Sequence, residues 1–157
     1  AITIVIIFCL QSCTVHQQGP NFSFDLYDET FQISLTEDWD YFLVDGLPML
    51  SRSDPRVVIA FNGYGVQSVP KDVNEIKYIL KHKVYADKPQ TQYKIFKMLD
   101  QDALLFTTDT ATGKLSGIHF VRNGNYYAFD VAANPQAMET YLPEILKAMS
   151  SATFVQH

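Results

Sequence analysis

Short strands joined by tight turns limit the folds open to this chain more than any other feature. Asn123-Gly124 is the strongest turn signal, because a two-residue hairpin turn needs positive φ at both positions and Asn-Gly tolerates this best. Strands this close in sequence pair antiparallel, since a parallel connection needs a dozen residues or more. β-branched and aromatic residues predict four consecutive strands in the second half of the chain: 92–99, 103–110, 114–122 and 126–132.

The first half of the chain also predicts strands. Residues 22–27 and 31–35 alternate apolar and polar side chains around Asp28-Glu29, which indicates a hairpin. Further strands are predicted at 39–44, 47–51 and 56–62, the last of them nearly continuous in apolar residues and therefore central.

Two helices complete the pattern. After Pro70, apolar residues recur at helical spacing at Val73, Ile76 and Leu80. Asn134-Pro135 predicts the start of a second helix, which Pro143 should kink or interrupt, and 152–155 should return as an edge strand. Because strands and helices are segregated rather than alternating, we predict an α+β fold. Its form is a curved antiparallel sheet of about six to seven strands covered by two helices.

The N-terminus predicts a location. Residues 2–10 are apolar but fall short of the roughly 20 residues that a spanning helix needs, and they fit a signal peptide. Ser12 before Cys13, with Leu10 upstream, matches the lipobox of a bacterial lipoprotein. We expect residues 1–12 to be a cleaved signal peptide, truncated because no Met and basic segment precede Ala1. Residues 13–21 then form a lipidated cysteine with a polar tether, and 22–157 form a single domain. A buried N-terminal strand or an ordinary secretory signal are the alternatives.

Cysteine content supports lipidation. Only Cys9 and Cys13 are present, so cleavage before Cys13 leaves one cysteine and no intramolecular disulfide. A covalent lipid on Cys13 is the only attached group expected, with no other cofactor. These residues predict a periplasm-facing protein anchored in the bacterial cell envelope. Thr14, in place of the Asp that often retains lipoproteins on the inner membrane, favours the outer membrane.

Charge is unevenly distributed along the chain. Residues 1–51 contain seven acidic residues and no Lys or Arg, whereas seven Lys lie between Lys71 and Lys97. This basic segment could be a surface that docks either a partner protein or an anionic lipid headgroup. Alternatively, it is a solvated helix face that complements the acidic N-terminal third of the chain. The acidic pI and the export signal argue against a nucleic-acid partner.

Three segments resemble the DcrB-like and PsbP-like family of small α+β domains: Phe31–Trp39, Gly124–Phe129 and Tyr141–Phe154. The resemblance spans about 22–154 and implies a PsbP-like fold and non-enzymatic work. Members of that group serve as accessory subunits of photosystem II, as a nuclear import factor that binds the Ran GTPase, and as envelope lipoproteins. None of the motifs that carry their partner sites can be placed on this chain.

Candidate catalytic and metal-binding residues are few. The four histidines, His16, His82, His119 and His157, lack metal-site spacing, so no metal is expected. Pairing around Asn123-Gly124 makes His119 and Asp130 diagonal neighbours on one sheet face, while Ser116 faces the other side. These two residues could orient a general base, but the nucleophile is missing, and a surface polar pair is the alternative.

Aromatic residues offer a candidate binding patch. Trp39, Tyr41, Tyr64 and Tyr126 could line a groove or a partner surface, unless each is a half-buried core edge. We therefore expect a membrane-anchored, non-enzymatic binding or accessory module whose partner is another envelope protein. A small hydrolase using His119 and Asp130, or a periplasmic carrier of a small ligand, are the alternatives.

Overall fold

A computed structural model describes residues 15–26, 28–64 and 69–157. The predicted signal peptide and Cys13 lie outside the described residues. No helix within the described ranges is long and apolar enough to cross a membrane.

The strands form two antiparallel sheets. The smaller sheet has the order β1-β2-β3-β11 and consists of β1 (Val15–Gln18), β2 (Asn21–Asp25), β3 (Glu29–Ser34) and β11 (Thr153–Gln156). The larger sheet has the order β4-β5-β6-β10-β9-β8-β7. Its seven strands are β4 (Asp40–Val44), β5 (Leu47–Arg52), β6 (Val57–Tyr64), β7 (Gln92–Lys97), β8 (Asp102–Thr110), β9 (Gly113–Arg122) and β10 (Asn125–Ala133).

Two helices begin at side-chain caps. In α1 (Val73–Ile79) the Asp72 carboxylate accepts the backbone N–H of Glu75 at 3.0 Å, and a π-helical turn (Leu80–Val84) extends the helix. In α2 (Pro135–Ser150) the Asn134 side chain accepts the N–H of Ala137 at 2.8 Å. Pro143 was expected to kink or interrupt this helix, and the interruption is wrong because α2 continues through Pro143. The carbonyl that loses its helical partner belongs to Glu139, an exposed residue.

The larger sheet is covered on both sides. Its inner face carries Phe61, Phe120 and Phe129, which pack with the smaller sheet and α2 in the main core. Its outer face carries Leu104 and Phe106, which pack with Ile76 and Leu80 below α1. The two helices therefore lie on opposite faces of one sheet.

A buried ion pair joins the two sheets on the inner side. Arg122 donates from Nε and Nη2 to the two carboxylate oxygens of Glu29, both at 2.7 Å, and Glu29 is 1% exposed. The guanidinium also lies 3.9 Å from the Phe154 ring centroid. Hydrogen bonds from Arg122 hold the pKa of Glu29 below its usual value, despite the opposing effect of burial.

The α+β class and the Asn123-Gly124 hairpin are confirmed, with φ of 50° and 72° at the two turn residues. One sheet was predicted, however, whereas the described residues form two. Part of the predicted tether also folds, because β1 pairs with β2 and places Val15 opposite Phe24 in the core. The folded unit thus includes residues from Val15 onward, not only from Phe22.

Candidate functional site

A polar triad lies on the outer face, where sequence periodicity predicted a histidine and a carboxylate. β9 supplies His119, and β10 supplies Tyr126 and Asp130. The register pairs His119 with Ala128 and Gly117 with Asp130, as predicted. Since the hairpin fixes this register, the turn at Asn123-Gly124 also positions the triad.

Both ring nitrogens of His119 are engaged. Nε2 lies 2.7 Å from Oδ1 of Asp130, and Nδ1 forms a short hydrogen bond with the Tyr126 hydroxyl. An ionised carboxylate only accepts hydrogen bonds, so in the neutral ring Nε2–H donates to Asp130 and Nδ1 accepts from Tyr126. The triad is thus a directed chain from Tyr126 through His119 to Asp130.

The triad is shielded by an aromatic ring. Phe106 meets His119 edge-on, with the ring centroids 5.0 Å apart, and the His119 side chain is 8% exposed. Phe106 lies directly over Gly117, where a Cβ would come within 2.2 Å of the Phe106 ring and 2.7 Å of Oδ1 of Asp130. Glycine at this position is therefore what allows the ring and the carboxylate to approach the histidine.

Among the described residues, the serine nearest in sequence to His119 does not join this triad. Ser116 lies on the inner face, fully buried, and its hydroxyl lies 2.8 Å from that of Thr107. The hydroxyl that does contact His119 belongs to Tyr126. The chain of three residues can shuttle or orient a proton at Tyr126, whose phenol is thus the candidate nucleophile that the described residues place beside His119.

The structure does not place all four predicted patch residues on one exposed surface. Trp39 is fully buried and donates from Nε1 to Glu144 at 3.1 Å, so it cannot belong to an exposed patch. Tyr41 is 41% exposed and pairs with Leu50 of the inner face. Tyr126 lies on the outer face, where its backbone pairs with that of Tyr64. The sequence pattern missed this because Trp39 packs at α2, and its partner Glu144 is 105 residues away along the chain.

A second polar site, the lysine pocket, opens between α1, the π-helical turn and β7. Its volume is about 450 Å³, and its lining includes Lys77, Lys81, His82, Tyr85, Lys88 and Tyr93. The π-helical turn closes with the N–H of Tyr85 donating to the carbonyl of Leu80 at 2.7 Å. The sequence predicted a basic surface here, and only the packing of α1 beside β7 shows that it is concave.

Two tyrosines form the pocket wall nearest the triad. Burial raises the pKa of Tyr85, and the charge of Asp130 raises it further. Burial also raises the pKa of Tyr93. Both phenols thus remain protonated and able to donate at neutral pH. Both tyrosine rings also lie against Phe106, which in turn meets His119, so the triad lies beside the pocket.

No group of three or more His, Cys, Asp or Glu side chains among residues 15–26, 28–64 and 69–157 could hold a metal ion.

The sequence signal for the polar sites was present in part. Strand alternation identified His119 and Asp130 and left Tyr126 on the same outer face. It did not show that the Tyr126 hydroxyl would form a hydrogen bond with His119.

Comparisons with known proteins inform the fold. No protein-family model matches the sequence, and no curated protein matches it significantly. Among solved structures, the chain is similar to the solution structure of cyanobacterial PsbP (CyanoP) from Synechocystis sp. PCC 6803. The TM-score is 0.53 at 11% identity, over 94% of this chain and 99% of the other. At this identity the likeness concerns architecture alone, and the chain accordingly has a PsbP-like α+β fold.

Proposed function

We propose that this protein is a non-enzymatic binding or accessory module of the bacterial cell envelope, anchored to the membrane through a lipid on Cys13. The lipobox and the loss of every other cysteine on processing support the anchor. The proposed setting faces the periplasm, with the outer membrane favoured by Thr14 and another envelope protein as partner.

The observation that carries the non-enzymatic assignment is the closed state of the triad. His119 has partners on both ring nitrogens and is 8% exposed, so its ring offers no free basic nitrogen to a substrate. A general base must reach the proton that it abstracts, and among the described residues the hydroxyl that His119 reaches is that of Tyr126. The arrangement is typical of a satisfied polar cluster beneath a helix.

Membrane fractionation tests the anchor. Cys13→Ala expressed in the native cell should move the protein from the membrane pellet to the soluble fraction, because the acceptor of the lipid is removed. Cys9→Ala is the matched control, since Cys9 lies in the segment expected to be cleaved, and it should still pellet. If Cys13→Ala pellets as the unaltered protein does, the anchor proposal is wrong.

The contact between Tyr126 and His119 favours a second candidate, a small envelope hydrolase in which His119 and Asp130 activate the Tyr126 phenol. Hydrolysis of chromogenic esters by the purified protein tests it. Under the non-enzymatic proposal, His119→Gln leaves the measured rate of ester hydrolysis unchanged. A turnover that falls at least about a hundredfold in His119→Gln but stays intact in the control His82→Gln would establish the hydrolase instead.

A further inference from the structure

The lysine pocket concentrates positive charge in a protein that is negative overall. The net charge of the chain is −5, so its long-range field repels anions. Three lysines and a histidine nevertheless line one cavity, and no Asp or Glu is among its lining residues. Charges beyond about 8 Å are screened at physiological salt, so an anion in the pocket would respond mainly to this local cluster.

These lysines are not neutralised by neighbouring acids. Within the described part of the chain, Lys77 and Lys81 form no ion pair, and Lys88 donates to the backbone carbonyl of Asp109 at 2.6 Å. Lys77 and Lys81 are also four residues apart on one helical face, a spacing at which like charges destabilise a helix. The helix therefore carries a repulsion that a bound anion would relieve.

The local backbone is unusual at the same place. π-helical turns are rare and concentrate at functional sites. The one at Leu80–Val84 widens the helix immediately before Tyr85 and includes Lys81 and His82 of the pocket lining.

A buried donor also lies in the pocket lining. The hydroxyl of Tyr93 is buried and has no hydrogen-bond partner among the described residues. Buried polar groups without partners are uncommon in native proteins, because each forfeits its bonds to water. A ligand oxygen in the pocket would satisfy this group.

We propose that the lysine pocket binds a phosphate group. A phosphate monoester carries a charge of about −1.5 to −2 at neutral pH and offers three acceptor oxygens. It therefore suits a pocket lined by several lysines and a phenol better than a carboxylate does. The cavity of about 450 Å³ leaves room for a small organic moiety against Tyr85. The phosphate could belong to a soluble metabolite or to a lipid headgroup.

Isothermal titration of the full chain with inorganic phosphate tests the proposal directly. Binding should be saturable, and Lys81→Gln should weaken it about tenfold. Lys83→Gln is the matched control, because Lys83 is an exposed lysine of the same π-helical turn that does not line the pocket. Tyr93→Phe, which preserves the ring and its packing, should weaken binding about threefold.

Vesicle binding separates the two sources of phosphate. The Cys13→Ala chain, which has no lipid of its own, is mixed with phosphatidylcholine vesicles with or without phosphatidic acid. Binding that needs phosphatidic acid and Lys81, without affinity for inorganic phosphate, identifies a headgroup, whereas affinity for inorganic phosphate alone identifies a soluble ligand. Equal weakening by Lys81→Gln and Lys83→Gln, or no saturable binding to either probe, overturns the proposal. Because the Cys13→Ala chain is used, these outcomes do not depend on the membrane anchor.

Discussion

The two faces of the larger sheet differ in chemistry although the same strands build both. The inner face packs aromatic rings against the smaller sheet and α2, and a buried ion pair ties those layers together. The outer face carries a polar triad and a lysine pocket below one short helix. This difference separates the surface that holds the fold together from the surface that offers polar groups to a ligand.

The contrast follows from what covers each face. Phe31 of the smaller sheet contacts five other phenylalanine rings, with centroids 5.1 to 6.5 Å away. α1 has only seven residues and buries Ile76, with Leu80 of the π-helical turn behind it. A cover this small leaves room beside it for a cavity and for partly hydrated side chains.

The largest expected effect is the loss of stability when one aromatic ring is removed from either face of the larger sheet. Phe31→Ala should lower the free energy of unfolding by about 4 kcal/mol, since its neighbours are rigidly packed and cannot close the cavity. Phe106→Ala should cost about 3 kcal/mol, because a short helix can shift inward and water from the lysine pocket can enter. Urea denaturation measures both values, and a larger loss for Phe106→Ala would contradict this contrast.

A second prediction concerns the ion pair between Glu29 and Arg122 on the inner side of the larger sheet. Glu29→Gln should cost about 3 kcal/mol at pH 7, because it leaves Arg122 largely buried without its counter-charge. Asp102→Asn, which breaks the exposed pair with Lys97 (N···O 2.6 Å), is the control and should cost under about 1 kcal/mol.

The same pair predicts a pH dependence. The pKa of Glu29 is lowered in the folded protein, so its contribution is fully present above the unfolded value near 4.5 and is lost as pH falls through the folded value. The difference in urea midpoint between the unaltered protein and Glu29→Gln should therefore shrink as the pH falls from 5 toward 3. A difference that stays constant over this range would show that Glu29 contributes through packing rather than charge.

The smallest expected effect lies on the outer face. Tyr93→Phe removes a buried hydroxyl that has no partner among the described residues, so stability should stay equal or rise by up to about 1 kcal/mol. Thr91→Val is the control and should cost about 1–2 kcal/mol, since the Thr91 hydroxyl bonds to the Lys88 carbonyl and to Thr108, both at 2.8 Å. Thermal unfolding shows whether each substitution raises or lowers the stability of the protein. A marked loss in Tyr93→Phe would mean that this hydroxyl already has a structural role.

Sequence reasoning predicted the features of the two faces that depend on neighbouring residues and missed features that depend on long-range packing. The Asn123-Gly124 turn fixed a register, and the register placed His119 beside Asp130 as predicted. Burial of Trp39 was missed because its partner Glu144 lies far away along the chain. β1 was missed although it pairs with the neighbouring β2, because three of its four residues are polar.

Short-range patterns thus determined the strands, the helices, the α+β class and one polar pair, since turn geometry and side-chain alternation act over a few residues. Only the tertiary structure decided that there are two sheets, that Tyr126 turns toward His119 and that the lysines surround a cavity. Those features depend on how layers pack and on which groups lose access to water. Residues far apart in the chain contribute to the packing of layers and to the exclusion of water. The periodicity within one segment carries no information about either.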